Sequence, residues 1–92
     1  MELKWTNKAL SDLVRLYEFL EPVNQSAAAR VVQSLTDAPP TILLSNPRIG
    51  EQLFEFNPRE IRRILAGKYE LRYEIQESTI YVLRLWHTHE NR

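Results

Sequence analysis

Residues 62–92, RRILAGKYELRYEIQESTIYVLRLWHTHENR, constrain the fold more than any other stretch of the chain. Tyr69, Leu71, Tyr73 and Ile75 alternate with Glu70, Arg72, Glu74 and Gln76, which is the period of a strand with one buried face. Residues 79–86 form a second run, rich in β-branched and aromatic side chains. The break between the runs, Gln76, Glu77 and Ser78, is polar and of hairpin-loop length, so an antiparallel pair is expected. Residues 61–65, ahead of Gly67, predict a third strand. The charged side chains of this region, Arg62, Arg63, Lys68, Arg72, Arg84, His87, His89 and Arg92, are where function is expected to sit.

The rest of the chain supplies what covers that sheet. Residues 2–5 open with alternation and predict a short strand that joins the C-terminal sheet. Thr6 or Asn7 can cap a helix in which Leu10, Leu13, Tyr17 and Leu20 recur at helical spacing, widened by Leu16. Asp12, Arg15 and Glu18 fall mostly off that stripe, and Pro22 ends it. Asn24 or Ser26 can cap a second helix whose apolar face is Ala28, Val32 and Leu35. Pro39 and Pro40 are expected to break or sharply kink it, leaving residues 41–44 as a further turn. Residues 45–50 are dense in turn formers. The expected architecture is one α+β domain over residues 1–92: an N-terminal strand, a two-helix hairpin, then three antiparallel strands in one sheet.

Charge narrows the function classes. Twelve basic and twelve acidic residues give a formal net charge of zero. Neither half of the chain is a basic domain, with four basic and five acidic residues before Pro47 and eight and seven from there on. A protein gripping nucleic acid by phosphate neutralisation usually shows a basic surplus, so any such role must rest on local geometry. Without cysteine, disulfides and thiolate metal sites are excluded. No signal-like apolar run opens the chain, and a cytoplasmic protein with no membrane partner is expected.

Regular pairing across a Glu77-Ser78 loop sets Tyr69 opposite Trp86, Leu71 opposite Arg84, Tyr73 opposite Val82 and Ile75 opposite Ile80. Arg84 is then a lone charge on an apolar face, either reaching water past Trp86 or aimed into a cleft. His87 and His89 point the same way on a continuing strand, but a third ligand is missing nearby, so no metal or other cofactor is expected. His87 suits proton transfer, with an ordinary pKa of ~6.5. Arg59, Arg62, Arg63 and Lys68 cluster among Glu51, Glu55 and Glu60. That cluster is either a mixed, solvated edge or a guanidinium fork for phosphate or an acidic partner. Two glycines, Gly50 and Gly67, are too few for most nucleotide-cradling loops.

The run Arg62 to Tyr69, the strand Leu71-Arg72-Tyr73-Glu74-Ile75 and the strand Ile80 to His87 resemble the ParE/RelE superfamily of toxins. Trp5, the Ala9-Leu10-Asp12-Leu13 helix start, the Ala-rich second helix and Pro47-Arg48-Ile49-Gly50 extend the resemblance over essentially the whole chain. It implies the toxin of a type II toxin–antitoxin module, associated with plasmid stabilisation. A small cognate antitoxin would neutralise it, carry a DNA-binding N-terminal domain and alone touch operator DNA. RelE-like members cut messenger RNA on the ribosome, whereas ParE-like members act on DNA gyrase without cleaving RNA. Glu70 stands where RelE-like nucleases commonly carry arginine after the tyrosine, and a carboxylate there repels a phosphate. His89 also stands where relatives often show arginine, while His87 and Arg92 fit. The gyrase-binding reading is therefore favoured, with no catalytic residue and with Arg72, Arg84, His87, His89 and Arg92 as the target-binding end. The alternatives are a RelE-like endoribonuclease using Arg72, Arg84, His87 and His89, and a non-toxic protein-interaction domain. For antitoxin contact the width of the first helical stripe points to Leu13, Tyr17 and Leu20, joined by Val31 and Leu35 of the second helix.

Overall fold

The computed structural model describes residues 1–90. Strand β1 (Glu2–Trp5) leads into helix α1 (Asn7–Leu20), helix α2 (Gln25–Ser45), strand β2 (Glu51–Gln52), a 3-10 turn (Phe54–Phe56), and strands β3 (Glu60–Ala66), β4 (Tyr69–Gln76) and β5 (Thr79–His87). The strands form one sheet in the order β1-β5-β4-β3-β2. Four of the five run as an antiparallel meander, but β1 lies parallel to β5, pairing Glu2 with Thr79 through Trp5 with Val82. The sheet is thus mixed and five-stranded, where the sequence predicted one strand joined to three antiparallel ones. The two-residue β2 was missed because so short a strand carries no period to read.

Helix α1 starts where Thr6 leaves β1. The Thr6 hydroxyl accepts from the Ala9 N–H (3.2 Å) and donates to the Val82 carbonyl (2.7 Å), so a single residue caps the helix and ties it to β5. Asn24 caps α2 through the Ala27 N–H (3.0 Å). Against expectation, α2 runs unbroken through Pro39 and Pro40. The prolines deprive the Leu35 and Thr36 carbonyls of their donors four residues on. Pro39 is nevertheless buried in the core, and that packing holds the helix together past its own chemistry.

The core lies between the helices and the inner face of the sheet. Leu16, Leu43, Tyr73, Ile80, Val82 and Leu85 are fully buried there, each aliphatic contributing about 1.5–3 kcal/mol by leaving water. The stripe of α1 is rotated from the one expected: Ala9, Asp12, Leu13 and Leu16 are buried, whereas Leu10 is 47% exposed. The expected register of the β4–β5 hairpin is correct from the turn out to Tyr73 and Val82, and then shifts by one residue. A bulge at Leu83 sets Arg72 opposite Arg84, Leu71 opposite Leu85 and Tyr69 opposite His87. This corrects the placement of Arg84. The bulge moves it off the apolar face and lets Leu85 take the buried position instead. Among the described residues no helix is long and apolar enough to cross a membrane.

Candidate functional site

The bulge builds the most distinctive surface of the molecule. On the outer face of the sheet, away from the helices, Arg63 of β3 stands opposite Arg72 of β4, which stands opposite Arg84 of β5. Glu51 of β2 closes the row beyond Arg63. Like charges directly across a ladder repel, so three adjacent arginines need counter-ions. Glu70, only 5% exposed, accepts from Arg72 Nε (3.1 Å) and lies 3.6 Å from Arg63 Nη1. Arg63 Nε also donates to Glu51 (2.6 Å). Trp86, opposite Glu70, lies under two guanidinium groups, with Arg72 at 4.8 Å and Arg84 at 5.9 Å from its ring centre. Replacing Glu70 by Gln removes the shared counter-ion, and the variant is expected to elute from heparin at higher salt than the wild type. Equal elution would mean that Arg63 and Arg72 do not face solvent as cations.

Arg84 is oriented from the other side. Strand β1 pairs with β5 only as far as Val82, so the β5 edge beyond it is open, and α1 covers it with side chains in place of a strand. Asp12 accepts from the Leu85 N–H (2.8 Å), from Arg84 Nε (2.8 Å) and from Arg15, while Arg15 Nη2 donates to the Leu85 carbonyl (2.8 Å). Burial pushes the Asp12 carboxyl up, but these donors outweigh it and hold it below the usual aspartate value. Arg15 also holds Glu90 at 2.8 and 3.1 Å, and Glu90 accepts from the His87 N–H (2.7 Å). The last described turn is thereby fastened to α1.

In that turn His87 packs between Phe19 (5.7 Å), Tyr69 (5.0 Å) and His89 (5.3 Å, ring centres). The His89 backbone N–H donates to His87 Nδ1 (3.0 Å), which leaves the proton of the neutral ring on Nε2. Burial first, and then electrostatic interaction with the neighbouring His89 and Lys68, lower the His87 pKa. Arg72, Arg84, His87 and His89 are thus gathered at one end of the sheet, with the histidines at the strand end beside the row. Arg92 lies outside the described residues. Asp12, Arg15 and Glu90 position this end without having been expected to matter, and Glu70, expected only as a mark against nuclease chemistry, is the shared counter-ion of Arg63 and Arg72. An aspartate three residues before an arginine on a helix looks like a surface pair until the fold brings a bare strand edge against it.

The helical side carries a second feature. An apolar groove of about 510 Å³ runs between α2 and the β3–β4 end of the sheet, lined among others by Ala27, Val31, Leu35, Ile64 and Leu71. Of the residues expected to meet an antitoxin, Leu13 and Leu35 are core side chains, 9% and 6% exposed, because the helices and sheet use them first. Leu35 and Val31 also line the groove, and Tyr17, Leu20 and Val31 are half-buried. Among the described residues no cluster of His, Asp and Glu suits a metal ion.

A helical hairpin on one face of a mixed five-stranded sheet is the scaffold that carries this site. The family described as "ParE toxin of type II toxin-antitoxin system, parDE" matches residues 3–92, and the chain belongs to it. Among solved structures, the chain is similar to one described as "Chromosomal ParDE TA system from P. aeruginosa", with a TM-score of 0.73 and 22% identity over 95% of each chain. A comparison with curated protein sequences gives no significant match.

Proposed function

We propose that this ParE-family chain is a growth-inhibiting toxin that acts by binding DNA gyrase, and that a cognate antitoxin holds it inactive. The observation that carries the binding reading is the state of the arginine row. Each of its guanidinium groups already has a carboxylate partner in the chain: Glu51 and Glu70 for Arg63, Glu70 for Arg72, and Asp12 for Arg84. Such a face is weakly attractive to a phosphate backbone, because its own carboxylates oppose the approach of a second anion. It suits a protein surface of mixed charge, where fixed fork geometry sets register. Near neutral pH the lowered pKa keeps His87 largely uncharged, so it presents a polar, stacked surface rather than a further cation.

The test is gyrase supercoiling with purified protein, run beside in vitro translation with the same preparation. Supercoiling is expected to fall with rising toxin while translation and its message stay intact. Replacing Arg84 by Ala is expected to weaken inhibition by about tenfold, the loss typical of one well-placed charged contact. Cleaved message with unaffected gyrase would overturn the reading in favour of a nuclease. Inactivity in both assays, by protein that is folded and free of antitoxin, would leave a non-toxic interaction domain.

A further inference from the structure

On the outer face of the sheet, the side chains that orient a partner and those that hold it are separable. Each guanidinium of the arginine row already holds a carboxylate of its own chain. A partner's carboxylate that displaced one of these would exchange one partly hydrated ion pair for another. Such an exchange sets register but adds little net affinity. The affinity has to come from an apolar contact that is exposed in the free chain and dry in the complex.

The strand register places such a contact beside the arginines. Leu65 of β3 stands opposite Glu70 of β4, and Glu70 opposite Trp86 of β5, so these three make the row next to Arg63, Arg72 and Arg84 on the same face. Glu70 and Trp86 are covered, each 5% exposed: Arg63 and Arg72 lean onto the carboxylate, and Arg72 and Arg84 lie over the indole. Leu65, at the end of the row, is left 62% exposed. Among the described residues it is the one large apolar side chain in any strand to be exposed. Strand β2 pairs only with Arg62 and Arg63, so the β3 edge at Leu65 has no neighbouring strand among the described residues, and a partner can close on it from the face and from the edge. A lone exposed leucine is ordinary on a protein surface. The setting of Leu65 is not, because guanidinium groups are weakly hydrated and the wall they form beside it is easily dried.

We propose that Leu65 is the apolar anchor of the target interface, seating in an apolar or aromatic pocket of gyrase while Arg63 and Arg72 form the polar rim that sets register. The inference rests on the gyrase reading above. It adds the residue that supplies most of the affinity and the chemistry of the patch that receives it.

The experiment measures binding of the full chain, purified free of antitoxin, to immobilised DNA gyrase, with supercoiling inhibition read in parallel. Three variants are compared, each checked by circular dichroism. Leu65→Ser removes the anchor, and Leu65→Met keeps its volume and apolar character. Val23→Ser removes a still more exposed apolar side chain (88%) from the turn between the helices. Leu65→Ser is expected to lose about thirtyfold in affinity, the scale of an interface hot spot, and to lose inhibition in proportion. Leu65→Met should stay within about threefold of the wild type, and Val23→Ser should match it. Added salt, which screens the arginines and spares the leucine, should weaken the wild type less than Leu65→Ser does. Wild-type affinity for Leu65→Ser would overturn the anchor, and so would an equal loss for Val23→Ser. A loss for Leu65→Met as large as that for Leu65→Ser would overturn the apolar pocket. Failure of the wild type itself to bind gyrase would instead defeat the gyrase reading.

Discussion

Asp12→Ala is expected to lower the stability of the folded chain by about 2–4 kcal/mol, whereas Asp12→Asn should lose about half as much. The side chain does two separable jobs. Its oxygen accepts the Leu85 N–H on a strand edge that β1 does not reach, and an orphaned buried donor costs about 1–3 kcal/mol. Its charge also compensates Arg84 and Arg15, and stranding the partners of a buried carboxylate adds to that loss, although both arginines are partly in water. Asparagine keeps an acceptor for Leu85 and removes only the charge. Urea denaturation of both variants measures the difference, and at this chain length 1 kcal/mol corresponds to roughly 4–8 °C in Tm. Equal losses for Ala and Asn would mean that the strand-edge hydrogen bond contributes nothing.

The same carboxylate sets a pH signature. Asp12, Glu60, Glu74 and Glu90 are all held below their ordinary values, Asp12 and Glu60 by arginine contacts that outweigh burial, and Glu74 and Glu90 chiefly by hydrogen bonds from Arg59 and Arg15. A depressed folded-state pKa contributes stability that is complete above the unfolded values of 3.8 and 4.5 and is lost as pH falls through the folded ones. The gap between wild type and Asp12→Asn should therefore be constant above about pH 5, begin to shrink as pH falls below the unfolded value of 3.8, and close only below the lowered folded value, where protonated Asp12 resembles asparagine. A gap that persists unchanged at low pH would show that geometry, not charge, separates the two.

How much of this was legible beforehand divides along a physical line. Period-two alternation in residues 69–76, the caps Thr6 and Asn24 and the polar turn at Glu77-Ser78 are local signals, and each matches the structure. The bulge at Leu83 was half legible. Strict alternation forced an arginine among core residues, and that cost is the reason the chain inserts one residue so that Leu85, not Arg84, is buried. The arginine row follows from that one slip, since a strand displaced by a single residue exchanges its faces. The continuity of α2 through Pro39-Pro40 was not legible, because tertiary burial of Pro39 decided against a strong local rule. Nor was the role of Asp12, which depends on β1 ending at Trp5 and leaving Leu85 bare some seventy residues away in sequence.

Gly50→Ala is expected to destabilise the chain by about 2–4 kcal/mol, although Gly50 lies in a loop ahead of a two-residue strand. The reason is contact rather than backbone freedom. A Cβ there meets the Arg63 carbonyl oxygen and the Tyr73 hydroxyl at 2.7 Å each, and Ile64 Cγ2 at 3.0 Å. The carbonyl belongs to the β3 backbone and cannot swing aside, so the loop must move, and overpacking of this kind costs about 1–3 kcal/mol. Movement also disturbs Tyr73, the largest fully buried side chain, whose hydroxyl accepts the Gly50 N–H (3.0 Å) and donates to the Pro47 carbonyl (2.7 Å). Tyr73→Phe alone should cost about 1–3 kcal/mol, because it orphans two loop backbone groups. The double variant should lose less than the sum of the single ones, since the alanine has already broken what the phenylalanine removes. Strict additivity would show that the loop is displaced without the Tyr73 hydrogen bonds being lost.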